Sequence, residues 1–409
     1  MKKLGIYIHI PFCVRKCKYC DFLSFDSLKE DVKGRYVNAL FSEIKMQGKR
    51  FQGYEADTIF IGGGTPTVVQ AEYIAEIVEC VKENFHLAEA AEITIEANPG
   101  TLTPEMLEIY RKSGVNRLSI GVQSLDDKVL SALGRIHTAE EFRNTYFAAR
   151  HAGFNNINID LMFAVPLQTE EIWEKTLKEA IRLKPEHISF YSLQLEEGTE
   201  FYRMYKEGRL TLADDDTDRR MYHTAVKMLK EAGYHHYEIS NAAKPGFESR
   251  HNMKYWQFDE YIGLGLGASS FTGGKRFANT SIMDEYLAFY EGMGTGGCPN
   301  FDVLCKNADP VSGQIILPQD TVEKNTEADS IFEYIFTGLR LTSGIDLARF
   351  KSIFGKNLQD YYPDKAAYIK QMIASGFMFC ESGFLGLTLS GIDISNGIMS
   401  EFSEPYITD

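Results

Sequence analysis

The sequence predicts an α/β fold: a partial (β/α)6 barrel of the TIM type, followed by a small C-terminal winged-helix-like α+β domain. Short apolar segments alternate with amphipathic helices from residue 4 to about residue 195, and repeated β-α units imply parallel strands with helical crossovers. Six such units favour a barrel over an open doubly wound sheet, although periodicity alone does not separate the two. Polar and glycine residues stand at the carboxyl ends of the predicted strands, where parallel β/α folds bind ligands.

The first predicted strand is the apolar, β-branched segment Leu4–Ile10. An amphipathic helix follows it, because Val32, Tyr36, Leu40 and Ile44 repeat every four residues. The second strand, Thr58–Ile61, leads into a run of three glycines. The remaining strands are predicted at Glu92–Glu96, Arg117–Gln123, Asn156–Met162 and His187–Leu195, with helices near 74–85, 104–113, 126–150 and 170–183.

The pattern changes after about residue 196. A helix is predicted over about 214–232, a strand at Tyr234–Ser240 and a β-hairpin around Phe377–Leu389, where short helices precede the hairpin. We therefore divide the chain into a core (1–200), a barrel-covering extension (201–291), a linker or insertion (292–325) and the C-terminal domain (326–409). The linker contains Cys298 and Cys305, to which no role is assigned.

Three cysteines near the start, Cys13, Cys17 and Cys20, have the spacing C-x3-C-x2-C. Three thiolates can bind three irons of a [4Fe–4S] cluster, and such clusters usually take four cysteines. The missing fourth ligand would leave one iron open to a small molecule. Zinc is the weaker alternative, because structural zinc sites usually show paired spacing and four ligands. A disulfide would leave one of the three cysteines unpaired.

Composition excludes several classes of protein. Hydrophobic residues make up 44% of the chain and charged residues 24%, as in an ordinary soluble globular protein. A net charge of −14 argues against a nucleic-acid partner, and the C-terminal segment shows no Lys/Arg stripe. No segment has the length and apolarity of a transmembrane helix, and the N-terminal apolar run is too short for a signal peptide. We expect a cytoplasmic protein, with peripheral membrane association left open.

Other polar and glycine residues stand at or near the predicted strand ends. The run Gly62-Gly63-Gly64-Thr65-Pro66 could be a plain tight turn, but glycine there also permits a close approach of the backbone to a ligand. Glu96 alone could belong to a surface ion pair. Asp160 is harder to dismiss, since a lone carboxylate among apolar residues needs partners. Together with Gln123 and Arg135, these residues predict a ligand site at one rim.

These motifs resemble the radical S-adenosylmethionine (SAM) enzymes, and specifically the oxygen-independent coproporphyrinogen III oxidase family. The motifs are the cysteine triad, Gly-Gly-Gly-Thr-Pro at 62–66, Glu-x-Asn-Pro at 96–99, Gly-Val-Gln-Ser at 121–124, Gly-Arg-x-His at 134–137 and Asn-Ile-Asp-Leu at 158–161. The resemblance covers most of the chain and implies a radical-SAM barrel. It implies that SAM binds the open iron, and that one electron from a reductant protein such as a flavodoxin or ferredoxin leads to a 5′-deoxyadenosyl radical. The SAM contacts that it implies are Tyr7, Gly63, Gly64, Thr65, Glu96, Gln123, Arg135 and Asp160.

Two departures separate this chain from the oxidases of that family. Oxidases carry a further cysteine two positions after the triad, where this chain has Phe22, and they have a long N-terminal extension, where only six residues precede Tyr7. Oxidative decarboxylation of coproporphyrinogen III to protoporphyrinogen IX, the activity of those oxidases, is therefore kept as the alternative function. Whether the chain is an enzyme is left open.

A third feature resembles the heme-chaperone branch of the family. The segment His251-Asn252-x-x-Tyr255-Trp256 is similar to its H-N-x-x-Y-W signature. That resemblance implies that the protein binds heme and delivers it to an acceptor protein, which the sequence does not identify. His251 is then a candidate axial ligand of the heme iron. Alternatively, Tyr255 and Trp256 pack against the barrel and Asn252 caps a turn.

Overall fold

The structure, a computed structural model, describes residues 1–26, 28–292 and 317–407. Its centre is a parallel sheet of six strands: β1 Lys2–Ile10, β2 Tyr54–Gly63, β3 His86–Ala97, β4 Arg117–Gln123, β5 Ile157–Phe163 and β6 His187–Ser192. The strands lie side by side in chain order, each parallel to the next. A doubly wound sheet would reverse its strand order part-way. The predicted α/β fold with the strand order of a partial barrel is therefore confirmed.

Helices connect the parallel strands. They are Glu30–Arg50, Ala71–Asn84, Pro104–Ser113, Asp127–Leu133, Ala139–His151 and Glu170–Leu183, with a short 3-10 turn at Pro66–Val68. Thr103, Thr138 and Thr169 each accept a hydrogen bond from a backbone N–H in the first turn of the helix that follows. The helix predicted over 126–150 is two helices. Gly134, with a φ of 80°, ends the first of them, and the loop that follows presents Arg135 to the rim.

Strands from the extension, and one from the end of the segment predicted as a linker or insertion, lengthen both edges of this sheet. Asn241–Ala243 pairs antiparallel with β6 and with His235–Glu238. On the other side Tyr261–Leu264 pairs in parallel with β1, and three antiparallel strands follow: Ser269–Thr272, Lys275–Asn279 and Gln319–Lys324. The helices of this part are Glu200–Lys206, Asp215–Glu231, Arg250–Trp256 and Met283–Glu291. The division of the chain into these four segments stays a prediction.

The C-terminal part is a small α+β unit, as predicted. Its helices are Glu327–Gly338, Leu347–Phe354, Leu358–Tyr361, Lys365–Ala374, Leu389–Asp393 and Ser395–Ser400, and its sheet contains Ile345–Asp346, Met378–Glu381 and Phe384–Leu387. Cys298 and Cys305 lie outside the described residues. Within the described ranges, no helix combines the length and the apolarity needed to cross a bilayer.

A buried carboxylate fixes the extension to the first helix of the barrel. Glu43 is fully buried and accepts hydrogen bonds from the Gly265 backbone N–H at 2.7 Å, Asn279 Nδ2 at 2.6 Å and the Tyr286 hydroxyl at 2.7 Å. Burial raises the pKa of Glu43, and these three donors oppose that rise. Removing this side chain would take an acceptor from three buried donors, of which Asn279 Nδ2 alone keeps a second acceptor, the Gly265 carbonyl. Glu43 therefore fixes the extension to the barrel.

Candidate functional site

The cysteine loop begins directly after β1, and its base is closed by backbone hydrogen bonds. Phe12–Cys13 pairs in parallel with Phe25–Asp26, and the Phe25 N–H donates to the Pro11 carbonyl at 2.8 Å. The Lys18 N–H donates to the Leu133 carbonyl at 3.2 Å on the other side of the rim. The loop therefore lies across the carboxyl ends of the strands, where the sequence predicted it.

The three thiols line one small cavity, of about 120 Å³, at this rim. Burial raises the pKa of the Cys20 thiol to about 11 and also raises the pKa of Cys13. Arg135 Nη1 lies 3.5 Å from Cys17 Sγ, which places a cation beside a potential thiolate. Among the described residues, no three His, Cys, Asp or Glu side chains form a group that could hold one metal ion. A [4Fe–4S] cluster requires no such convergence, because each thiolate binds a different iron.

The glycine run allows the end of β2 to contact the cysteine loop. A Cβ on Gly64 would lie 2.6 Å from the Phe12 carbonyl oxygen and 3.0 Å from Cys13 Sγ. Gly63 has a φ of 114°, a conformation that favours glycine, and a Cβ there would meet the His9 ring at 2.6 Å. The N–H of Thr65 donates to the Phe12 carbonyl at 2.7 Å. These short distances support the interpretation that the glycine run serves the ligand site and is more than a tight turn.

Two carboxyl groups face the cavity. Glu96 Oε2 accepts a hydrogen bond from the Gly63 N–H at 3.1 Å, and burial, together with the charge of Asp160, raises the pKa of Glu96 to about 8. Asp160 accepts from Asn158 Nδ2 at 2.7 Å and from the Ser119 hydroxyl at 3.3 Å, while burial raises its pKa too. Such a pair either holds a proton or attracts a cation.

A hydrogen-bond network joins the remaining rim residues. Arg135 Nη2 donates to Asn98 Oδ1 at 2.6 Å and to the Gly121 carbonyl at 2.5 Å. Asn98 Nδ2 in turn donates to Thr65 Oγ1 at 2.7 Å. Gln123, with a φ of 69°, accepts from the Tyr191 hydroxyl at 2.9 Å. Loops after three different strands are thereby fixed to one another.

Most of the predicted SAM contacts line this same cavity. They are Gly63, Gly64, Thr65, Glu96, Gln123, Arg135 and Asp160. Tyr7 is half-buried inside the barrel instead, where its ring stacks on Phe60 and its hydroxyl lies 2.9 Å from His9 Nδ1. His9 Nε2 lies 2.8 Å from the Leu23 carbonyl, which can only accept, so Nδ1 accepts the hydrogen bond from Tyr7. We did not single out Tyr191 from the sequence, and the only available signal was its place near the end of β6.

A larger chamber, of about 720 Å³, opens beside the small cavity. The two share Cys20, Phe22, Glu96, Asp160 and Tyr191 among their walls. The other walls of the chamber come from Phe163, Phe190, Tyr222 and Ile239, from Arg219 and Arg340, and from the C-terminal segment at Ile392 and Asp393. This volume lies within the range of small-molecule and cofactor sites.

His251 is buried inside the barrel, and both of its ring nitrogens have partners. Nδ1 lies 2.8 Å from Thr58 Oγ1, Nε2 lies 2.9 Å from the Tyr255 hydroxyl, and the ring stacks on Phe60. Burial, with the charges of Lys254 and Arg117, lowers the pKa of His251 to about 3. Thr58 precedes the rim residue Gly62 by four positions in β2, or about 13 Å.

The rest of that segment forms a capped helix. The helix Arg250–Trp256 begins after Ser249, whose side chain accepts from the Asn252 N–H, and Glu92 accepts from the N–H groups of Arg250 and His251. The guanidinium of Arg340 lies over the Trp256 ring at 4.4 Å. The assignment of His251, Asn252, Tyr255 and Trp256 to heme stays a prediction, and a bond from His251 to iron would have to replace one of its two present contacts.

Comparisons with known proteins agree with this site. The profile of the radical SAM superfamily matches residues 7–180, and that of the HemN C-terminal domain matches residues 325–394. The heme chaperone HemW of Bacillus subtilis is 34% identical over 397 residues, which cover 97% of this chain and 98% of that protein. The chain belongs to the HemW family. HemW of Escherichia coli is 41% identical over 265 residues, which cover 65% of this chain and 69% of its own length.

A solved structure shows the same fold as this HemW family member. Coproporphyrinogen III oxidase (HemN) from Escherichia coli superposes with a TM-score of 0.80 at 22% identity, covering 98% of this chain and 90% of the oxidase. At that identity the likeness describes the fold alone. Membership of the radical SAM superfamily implies SAM and a [4Fe–4S] cluster, and the radical-SAM fold predicted from the motifs is confirmed.

Proposed function

We propose that this protein is a heme chaperone: it binds heme beside a [4Fe–4S] cluster and SAM, and delivers the heme to an acceptor protein. The observation that carries this proposal is the 34% identity to a heme chaperone along 97% of the chain. The chamber of about 720 Å³ next to the cysteine loop supports it, because that chamber offers the volume for a large ligand. The expected location is the cytoplasm.

The residues present fit the implied cluster and SAM. Cys13, Cys17 and Cys20 would hold the cluster, since their thiols line one cavity and the neighbouring glycines make room for the loop. Because iron binds thiolates, the cysteines would lose their thiol protons on binding the cluster, and burial, which raises the pKa of Cys13 and Cys20, opposes that loss. When bound, the cluster and SAM together supply one-electron chemistry.

The rim polar groups would orient SAM by charge and hydrogen bonding. Glu96 and Asp160 form the acidic wall of the small cavity, and their raised pKa values make a cationic neighbour favourable. The SAM ammonium and sulfonium are such cations. Gln123 is oriented by Tyr191 and would accept or donate at a ribose hydroxyl. Arg135 places a positive charge beside Cys17 and would there offset the negative charge of a bound cluster.

Phe22 supports the chaperone over the oxidase. Its side chain is 63% exposed and lines both cavities, at the position where the oxidases carry a further cysteine. An apolar ring there adds contact surface for a flat apolar ligand but no thiol chemistry. A reductant protein, such as a flavodoxin or ferredoxin, would contact the exposed side of this loop.

Heme titration of the reconstituted protein tests the proposal. Anaerobically reconstituted protein should bind about one heme per chain, with a saturable shift of the Soret band. The same preparation, given SAM, a reductant and coproporphyrinogen III, should form no protoporphyrinogen IX. Conversion of coproporphyrinogen III would establish the oxidase instead, and a titration without any Soret change would refute heme binding.

A further inference from the structure

We propose that the large chamber binds the tetrapyrrole, with the guanidinium groups of Arg219 and Arg340 contacting its carboxylates. This inference rests on the proposed function and names the part of the molecule that would recognise the ligand. A tetrapyrrole with propionate side chains is a flat apolar ring that carries anionic groups at its edge. The chamber offers aromatic walls together with two cations.

The guanidinium of Arg340 makes few hydrogen bonds within the protein. Its Nε is buried without a hydrogen-bond partner, and its Nη2 lies 3.7 Å from Glu238 Oε2, too far for a strong hydrogen bond. Glu238 is fully buried, so it stabilises the positive charge of Arg340 without occupying its donors. The ring of Trp256, at 4.4 Å, supports the guanidinium on one face. A ligand carboxylate would bind the part of the guanidinium that lines the chamber, because the Arg340 side chain is 27% exposed.

Arg219 is the second arginine of the chamber wall. Its guanidinium stands over the Tyr222 ring at 4.8 Å, and Nη1 reaches Asp393 Oδ1 of the C-terminal segment at 3.4 Å. Asp218 binds its other edge. The side chain is 34% exposed, so its ion pairs are partly solvated and can be exchanged for a ligand carboxylate. Tyr222, Arg219 and Arg340 all line the chamber.

Both cavities contain charges of both signs, because Arg15, Lys16 and Arg135 also line the small cavity. Glu96 and Asp160 line the small cavity as well as its junction with the chamber, whereas Arg219 and Arg340 line the chamber alone. The remaining acidic groups of the chamber wall are Glu196 and Asp21, which are exposed to solvent, and Asp393, which is paired with Arg219. Arg219 and Arg340 are thus the two cations that line the chamber and not the small cavity, and an anionic group of a ligand in the chamber would bind there.

Two probes with the same tetrapyrrole ring test this inference on reconstituted protein: heme, and heme dimethyl ester, in which methyl esters remove the charges of the propionates. We expect wild-type protein to bind heme at least about tenfold more tightly than the ester. Arg219→Gln and Arg340→Lys should each weaken heme binding about tenfold and leave ester binding within about twofold. The lysine keeps a positive charge beside the buried Glu238 but loses the planar fork. Arg143→Gln, in a partly exposed ion pair with Glu179, is the matched control and should change neither affinity.

The outcomes separate this inference from the proposed function. Equal binding of heme and ester by the wild type, or equal losses for both probes in the variants, would overturn the arginine assignment while heme binding stands. Failure of the wild type to bind heme at all would overturn both. An unchanged ester affinity in the variants would also show that they are folded.

Discussion

Replacing Gly64 by alanine would place a methyl group against the cysteine loop. The new Cβ would lie 2.6 Å from the Phe12 carbonyl oxygen and 3.0 Å from Cys13 Sγ. Gly64 is not in the left-handed backbone region, so the substitution tests this close approach and not backbone strain. Because Cys13 is a proposed ligand of the cluster, the perturbation acts on the cofactor site directly.

The size of the destabilisation depends on whether Phe12 can move away from the new methyl group. Real Cβ atoms essentially never lie within 3.0 Å of another heavy atom, so Phe12 O and the methyl must separate by at least about 0.4 Å. Phe12 cannot retreat easily, since its ring is fully buried against Tyr36 and its carbonyl accepts from the Thr65 N–H. We expect overpacking to lower the free energy of unfolding by about 1–3 kcal/mol. The displaced loop should hold well under half of the normal cluster content.

Iron per chain after anaerobic reconstitution is the assay. Wild-type protein should contain about four irons, and Cys17→Ala, which removes a proposed ligand, sets the lower reference. Gly53→Ala is the control, because a Cβ there meets no heavy atom within 4 Å. A Gly64→Ala protein with the full iron content and visible absorbance of the Gly53→Ala control would refute the argument from close packing.

Two further predictions concern Glu96 and His251. The folded-state pKa of Glu96 is raised to about 8, above its ordinary value near 4.5. The stability contributed by protonated Glu96, up to a few kcal/mol, is therefore fully present below about pH 4.5 and is lost as the pH rises to about 8. Glu96→Gln should abolish this fall in the free energy of unfolding, measured by urea unfolding of the cluster-free protein. Equal slopes against pH in variant and wild type would contradict it. His251→Ala removes a buried ring with two hydrogen bonds and should cost about 2–5 kcal/mol of stability, with the Soret band of the heme-bound protein unchanged. A shifted Soret band at nearly unchanged stability would instead identify His251 as the heme ligand.

The sequence predicted the barrel strands because parallel strands buried on both faces appear as short apolar runs. It placed β4 at its observed residues, Arg117–Gln123. It began β2 at Thr58, four residues late, because the strand opens with Tyr54-Glu55-Ala56-Asp57, whose polar residues have no strand signal. It merged two helices over 126–150, because the apolar period continues on both sides of Gly134.

The rim residues were also accessible from sequence, since chemistry-bearing residues at the ends of successive parallel strands share one edge. The arginine end of the chamber was not. Arg219 lies on a helix of the extension, and Arg340 follows a helix of the C-terminal unit. Arg219 contacts Tyr222 within one helix, but only the packing of the two units against the barrel brings Arg340 to the same chamber. A single sequence carries no signal for contacts across such distances.

The motif at 251–256 shows why a sequence signature does not identify its own role. The sequence does not distinguish a histidine that binds iron from a histidine that packs in the core, because only their contacts in the folded protein differ. Here Thr58 and Tyr255 contact both ring nitrogens, and Glu92 accepts from the first N–H groups of the helix. Those contacts join the extension to β2 and β3, about four residues before the rim. The arginine-lined chamber, by contrast, shares a wall with the cysteine loop. A heme beside the cluster would therefore lie in that chamber, and the signature would act by fixing the barrel beneath it.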